Sequence, residues 1–81
     1  MKHEVIVYRS DSCSYCRKLK DWLEQNKILF TDKDIENQEI YSEFEKFNAQ
    51  GIPFIRIIDK EDGKEERIVG FHPEVIKRIL K

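Results

Sequence analysis

The stretch EVIVYRSDSCSYC, residues 4–16, passes from a strand pattern to a helix pattern and places both cysteines of the chain at the changeover. Val5, Ile6, Val7 and Tyr8 follow one another without a polar interruption, which predicts a strand over Glu4–Arg9 that is covered on both faces. Ser10, Asp11 and Ser12 come next, each a residue whose side-chain oxygen can cap a helix. From Cys13 to about Asn26 the period becomes helical: Cys16, Leu19 and Leu23 recur at three and four residues, with Trp22 beside them. A strand that runs directly into a helix through a Cys-x-x-Cys pair is the opening of an α/β unit.

Further along, Ile28–Ile35 predicts a second strand with a charged end. Ile40, Phe44 and Phe47 give an amphipathic helix from about Gln38 to Asn48. Gly51 and the pair Ile52-Pro53 precede a third strand, Phe54–Ile58. The charged run Asp59–Gly63, ending in an Asp-Gly step, predicts a hairpin turn into a fourth strand, Glu66–Val69. Gly70 breaks the pattern. His72-Pro73-Glu74 then opens a last helix with Pro at its first position and Ile76, Ile79 and Leu80 on its apolar face. The order is β-α-β-α-β-β-α, an α/β fold with a four-stranded mixed sheet flanked by three helices. Right-handed crossovers predict that the first three strands are parallel and that the hairpin adds an antiparallel edge.

With 81 residues the chain is expected to form a single domain over 1–81, since a chain of this size supports one small core. Fifteen basic residues stand against sixteen acidic ones, and no basic cluster is present. That balance gives no reason to expect a nucleic acid or an anionic membrane as partner. The apolar run after Met1-Lys2-His3 is too short for a signal sequence or a membrane span. A cytoplasmic monomer is the expectation.

In a reducing compartment a Cys-x-x-Cys pair is more often catalytic or metal-binding than a permanent staple. The first cysteine falls at a helix start, where free N–H groups and the positive end of the helix dipole favour a thiolate. Cys16, one turn later, lies on the same side of the helix and can attack a mixed disulfide at Cys13. Two other readings stay open from the residues alone, metal ligation and inert buried thiols. Zinc wants four ligands, and the remaining soft candidates, His3 and His72, lack any metal spacing. No metal is expected. Pro53 likewise has two readings. It starts a strand as proline commonly does, or it is a cis proline facing the dithiol, whose preceding residue offers backbone N–H and C=O groups to an extended substrate.

Cys13-Ser14-Tyr15-Cys16 after a first strand, with Ile52-Pro53 before a third, resembles the glutaredoxin branch of the thioredoxin fold, and the resemblance covers nearly the whole chain. It implies a minimal thioredoxin fold and a thiol–disulfide oxidoreductase. Cys13 would be the attacking thiolate, Cys16 the resolving thiol and Pro53 the cis proline. Ile52 would present its backbone to the substrate, and Tyr15 would shape the rim. The only cofactor implied is the redox-active Cys13–Cys16 disulfide, with glutathione as one candidate reductant.

The C-terminal Gly70-Phe71-His72-Pro73-Glu74 looks like the Gly-Phe-Arg-Pro-Asp element of NrdH-type redoxins, glutaredoxin-like proteins that supply electrons to ribonucleotide reductase. The resemblance places Gly70 and Phe71 in an apolar surface that meets a protein partner. Glutaredoxins that use glutathione usually carry a Gly-Gly-x-Asp-type element there, Thr two before the cis proline with a basic residue before that, and a basic residue three before the first cysteine. This chain has Gly51, Gln50 and Ser10 at the last three positions, and each difference removes a contact for a charged tripeptide. The first expectation is therefore a reductase of protein disulfides, recharged by thioredoxin reductase or by glutathione. A glutathione-dependent glutaredoxin and a glutathione-assisted [2Fe–2S] cluster-binding module are the alternatives.

Overall fold

The computed structural model describes residues 2–81; Met1, part of the expected 1–81 domain, lies outside the described residues. Seven elements follow in the expected order: β1 (His3–Arg9), α1 (Ser14–Gln25), β2 (Thr31–Asp34), α2 (Gln38–Glu45), β3 (Phe54–Asp59), β4 (Glu65–Val69) and α3 (Pro73–Leu80). They form one four-stranded sheet in the order β2-β1-β3-β4.

β1 is covered on both faces, as its apolar run predicts. On one face Val5 and Val7 join Leu19 and Leu23 of α1, Ile55, Ile57 and Ile68 of the sheet and Ile76 of α3. On the other, Ile6, Tyr8 and Phe54 meet Ile40, Phe44 and Phe47 from α2 and the turn after it. Burying each such aliphatic side chain stabilises the fold by roughly 1.5–3 kcal/mol. The helices thus lie two against one across the sheet.

The direction of β3 departs from the expectation. β1 and β2 are parallel, with Ile6 opposite Thr31 and Arg9 opposite Asp34. β3, however, runs antiparallel to β1, with Tyr8 opposite Phe54 and His3 opposite Asp59. The reason is the path of α2. Its eight residues extend about 12 Å, and it packs on Tyr8 and Phe54 near the end of the sheet where β2 finishes. The chain is still at that edge when it enters β3. β1 and β2 therefore end, and β3 begins, at the same edge.

β2 is also shorter than the expected Ile28–Ile35. Lys27 adopts φ 56° just beyond α1, and the amides of Lys27 and Ile28 return to the carbonyls of Glu24 and Leu23 at 3.1 and 2.9 Å. This closes the helix by a Schellman motif with Lys in the position usually held by Gly. Ile28 and Phe30 then pack against the core while Leu29 points outward, 74% exposed, and pairing with β1 starts only at Thr31. α2 ends at Glu45 rather than near Asn48, because the amides of Lys46, Phe47 and Asn48 bond three residues back and Asn48 turns to φ 52°.

Candidate active site

α1 begins at Ser14, and its N-cap is Cys13 itself, at φ −98° and ψ 111°. Ser10, Asp11 and Ser12, the capping candidates by residue type, do not occupy that position. The Cys13 sulfur accepts the amide N–H of Cys16 at 3.1 Å, so the sulfur takes the place of a capping oxygen. Asp11 instead meets Arg9, with its carboxylate 2.7 Å from the guanidinium.

Cys13 and Cys16 are disulfide-bonded, with Cα atoms 5.2 Å apart. The two sulfurs differ in access. Cys16 is fully buried on the inner face of α1, whereas Cys13 is half-exposed at the edge. Only Cys13 can meet a bulky partner without unfolding the helix.

The start of β3 lies opposite. The Ile52–Pro53 bond is cis, Pro53 is buried, and the carbonyl oxygen of Ile52 is 4.0 Å from the Cys13 sulfur. These residues are about forty positions apart in sequence; the antiparallel course of β3 brings them together. The carbonyl of Pro53 accepts the amide of Gly70 at 2.8 Å, which draws the end of β4 to the same edge. Tyr15 stands out from the rim, 59% exposed, with the Lys18 ammonium 5.2 Å from its ring centre. Phe71 is half-buried and packs against the core. His72 occupies the N-cap position of α3 without a side-chain capping bond. The Cys13 sulfur thus lies beside Ile52, Pro53 follows in the chain with Gly70 bonded to its carbonyl, and Tyr15 stands between the two cysteines, while Phe71 joins the core.

Several residues around the site gave no functional signal in the sequence. Arg9 binds three carboxylates: Asp11 at 2.7 Å, Asp32 at 2.7 Å and Asp34 at 3.4 Å. Its guanidinium, with Lys20 adding to it, holds the Asp32 carboxyl below the usual carboxylate range. Arg17 reaches back from α1 to the carbonyl of Asp11 at 2.8 Å. Ser10 is buried and donates to Glu36 at 2.7 Å. The partners of Arg9 and Ser10 on β2 and beyond lie more than twenty residues away in sequence, and no periodicity marks such pairs.

Among the described residues, no group of three or more His, Cys, Asp or Glu side chains is arranged to hold a metal ion. No described helix is long and apolar enough to cross a membrane.

The glutaredoxin family model matches residues 5–61, which contain the dithiol, α1, α2 and the cis proline. The chain belongs to the glutaredoxin family. Over nearly its whole length the chain is similar to the glutaredoxin-like protein NrdH of Lactococcus lactis subsp. cremoris, 28% identical over 93% of this chain and 97% of that one. A shorter stretch, 38% of this chain, is 52% identical to the global transcriptional regulator Spx 2 of Bacillus anthracis. That match spans about a quarter of the regulator's length. Among solved structures, thioredoxin from Trichomonas vaginalis superposes with a TM-score of 0.74 at 20% identity, covering 96% of this chain and 76% of that one. At that identity the likeness is one of fold, and the fold is the minimal thioredoxin type.

Proposed function

We propose that this glutaredoxin-family protein reduces disulfides in protein substrates, working in the manner of NrdH-type redoxins. The observation that carries the proposal is the contrast between the two sulfurs: Cys13 at the helix start is accessible and accepts an amide N–H, and Cys16 behind it is closed to solvent. A thiolate is the nucleophile in such exchange, and a helix N-terminus stabilises one.

In the reduced protein the Cys13 thiolate attacks one sulfur of a substrate disulfide. A mixed disulfide forms, and the other substrate sulfur leaves as a thiolate that takes up a proton. Cys16, losing its proton, then attacks the Cys13 sulfur, and the second substrate thiolate departs. Two electrons have passed to the substrate, and the Cys13–Cys16 disulfide remains. The backbone of Ile52 supplies hydrogen-bonding groups to an extended substrate segment. Tyr15, Pro53, Gly70 and the accessible edge of Phe71 form the surface around it.

Thioredoxin reductase is the reductant that fits best, because Ser10 and Gln50 stand where glutathione-using glutaredoxins carry basic residues, Gly51 where they carry Thr and Phe71 where they carry a second Gly. Ribonucleotide reductase is the proposed electron acceptor, by the resemblance to NrdH-type redoxins, and the cytoplasm the proposed compartment. The test is NADPH oxidation with a disulfide substrate, coupled in parallel to a cognate thioredoxin reductase and to glutathione with glutathione reductase. Turnover with the first alone supports the proposal. Turnover with the second alone replaces it with a glutathione-dependent glutaredoxin.

A further inference from the structure

Ser10 is the buried polar residue among the described residues, and its hydroxyl is the centre of a short chain of hydrogen bonds at the base of the Cys13 loop. Its oxygen lies 2.7 Å from a carboxylate oxygen of Glu36, in the turn between β2 and α2. The same oxygen lies 3.1 Å from the Ser12 hydroxyl and 3.3 Å from the Ser12 amide. The Ser10 carbonyl accepts the Cys13 amide at 3.2 Å. Glu36 is thus joined through Ser10 to Ser12, the residue before Cys13.

The direction of these bonds follows from the chemistry. An ionised carboxylate can only accept, so the single proton of the Ser10 hydroxyl is committed to Glu36. Ser10 can then only accept from Ser12, and both the amide and the hydroxyl of Ser12 must donate to it. The Ser12 hydroxyl, next to the reactive cysteine in sequence, is thereby withheld from the sulfur. The amide of Cys16 remains as the donor on Cys13. The negative charge at the far end of the chain opposes thiolate formation as well.

We propose that Glu36, acting through Ser10 and Ser12, is a positioning residue that keeps the Cys13–Cys16 couple strongly reducing. The inference rests on the thiol-exchange reading of that pair. The couple is the disulfide plus two electrons and two protons in equilibrium with two thiols. Stabilising the thiolate form makes such a pair more oxidising, and withholding a donor from it does the reverse. The other charges around the loop already have partners. Arg9 holds Asp11 and Asp34, Arg17 is bonded to the Asp11 carbonyl, and Lys18 stands on the Tyr15 ring. His72 lies over Gly70, near Glu74, and β3 contributes uncharged backbone.

The test compares Glu36→Ala with Glu39→Ala, which removes an equal charge from the first turn of α2 at a residue whose side chain is not joined to the loop. Thiolate formation is followed by ultraviolet absorbance against pH. The couple is equilibrated with dithiothreitol, which supplies the two electrons and two protons and closes to its own cyclic disulfide. Glu36→Ala is expected to raise the thiolate-to-thiol ratio at a fixed pH about two- to tenfold, which raises the potential by at most about 9 to 30 mV, the full shift being reached where the thiolate predominates. Glu39→Ala should leave both values in place. Ser12→Ala added to Glu36→Ala should remove part of the increase, because the freed hydroxyl is then absent. Equal behaviour of Glu36→Ala and Glu39→Ala, or a fall in thiolate with Glu36→Ala, would overturn the role of Glu36. A wild-type protein whose cysteines do not cycle with dithiothreitol would instead overturn the thiol-exchange reading itself.

Discussion

The amide of Gly70 donates to the carbonyl of Pro53 over 2.8 Å, fastening the residue after β4 to the residue before β3. Gly70 has φ 96°, and a Cβ built on it would lie 3.1 Å from Nε2 of His72. The imidazole can swing aside, but the backbone angle is strained for any side chain. Gly70→Ala is therefore expected to lose about 1–2 kcal/mol of stability and to lower turnover through movement of the Pro53 edge. Urea denaturation and the coupled assay measure the two. Gly51→Ala is the contrast: its Cβ would meet only Val69 Cγ1, at 3.9 Å, and a change within about 0.5 kcal/mol is expected.

The unequal access of the two sulfurs separates their variants. Cys13→Ser should abolish reduction of any disulfide. Cys16→Ser should leave the first attack intact and accumulate mixed disulfides with protein substrates, visible by mass spectrometry and reversed by dithiothreitol. Cys13→Ser protein that still turns over would remove the assigned nucleophile.

Glu65 sits between Arg56, 2.9 Å away, and Arg67, 2.6 Å away. The hydrogen bonds from Arg56 foremost, opposed by burial and helped by Arg67, bring its carboxyl down to about 2. The folded value is depressed, so the stabilisation is complete above the unfolded value of about 4.3 and is lost as pH falls through that range toward 2. Glu65→Gln should cost about 1–3 kcal/mol at neutral pH, and the gap from wild type should narrow below about pH 4. Denaturant titrations at several pH values check this; a gap independent of pH would count against an ionic origin.

Tyr8 is fully buried, and its hydroxyl donates to Glu43 of α2 while accepting from Arg56 at 3.4 Å. Burial, with the Glu43 bond adding to it, raises the phenol above its ordinary value. Glu43 keeps Lys33 at 2.8 Å and Arg56 keeps Glu65 when the hydroxyl is removed. Tyr8→Phe is thus expected to cost only about 1 kcal/mol, with the ring still packed on Phe44, Phe47 and Phe54. Thermal unfolding measures the loss, and disulfide reductase activity should persist.

What the chain determines by itself is local. The apolar run of β1, the helical spacing of Cys16, Leu19 and Leu23, the Asp-Gly turn and the Pro at the start of α3 each act within a few residues. Side-chain shape and backbone hydrogen bonding at that range are enough to specify them. The cysteine pair at the strand-to-helix changeover belongs to the same class. The direction of β3 does not, because hydrophobic period is the same for a strand read either way. Only the short α2, seated on Tyr8 and Phe54, returns the chain to the edge it came from and so sets Ile52 and Pro53 against Cys13. Ser10 meets Glu36 because β1 and β2 pair in parallel and end together, and Gly70 meets Pro53 because β4 returns along β3. Their bonds are formed between distant segments, and they exist only once the packed sheet holds those segments within hydrogen-bonding distance.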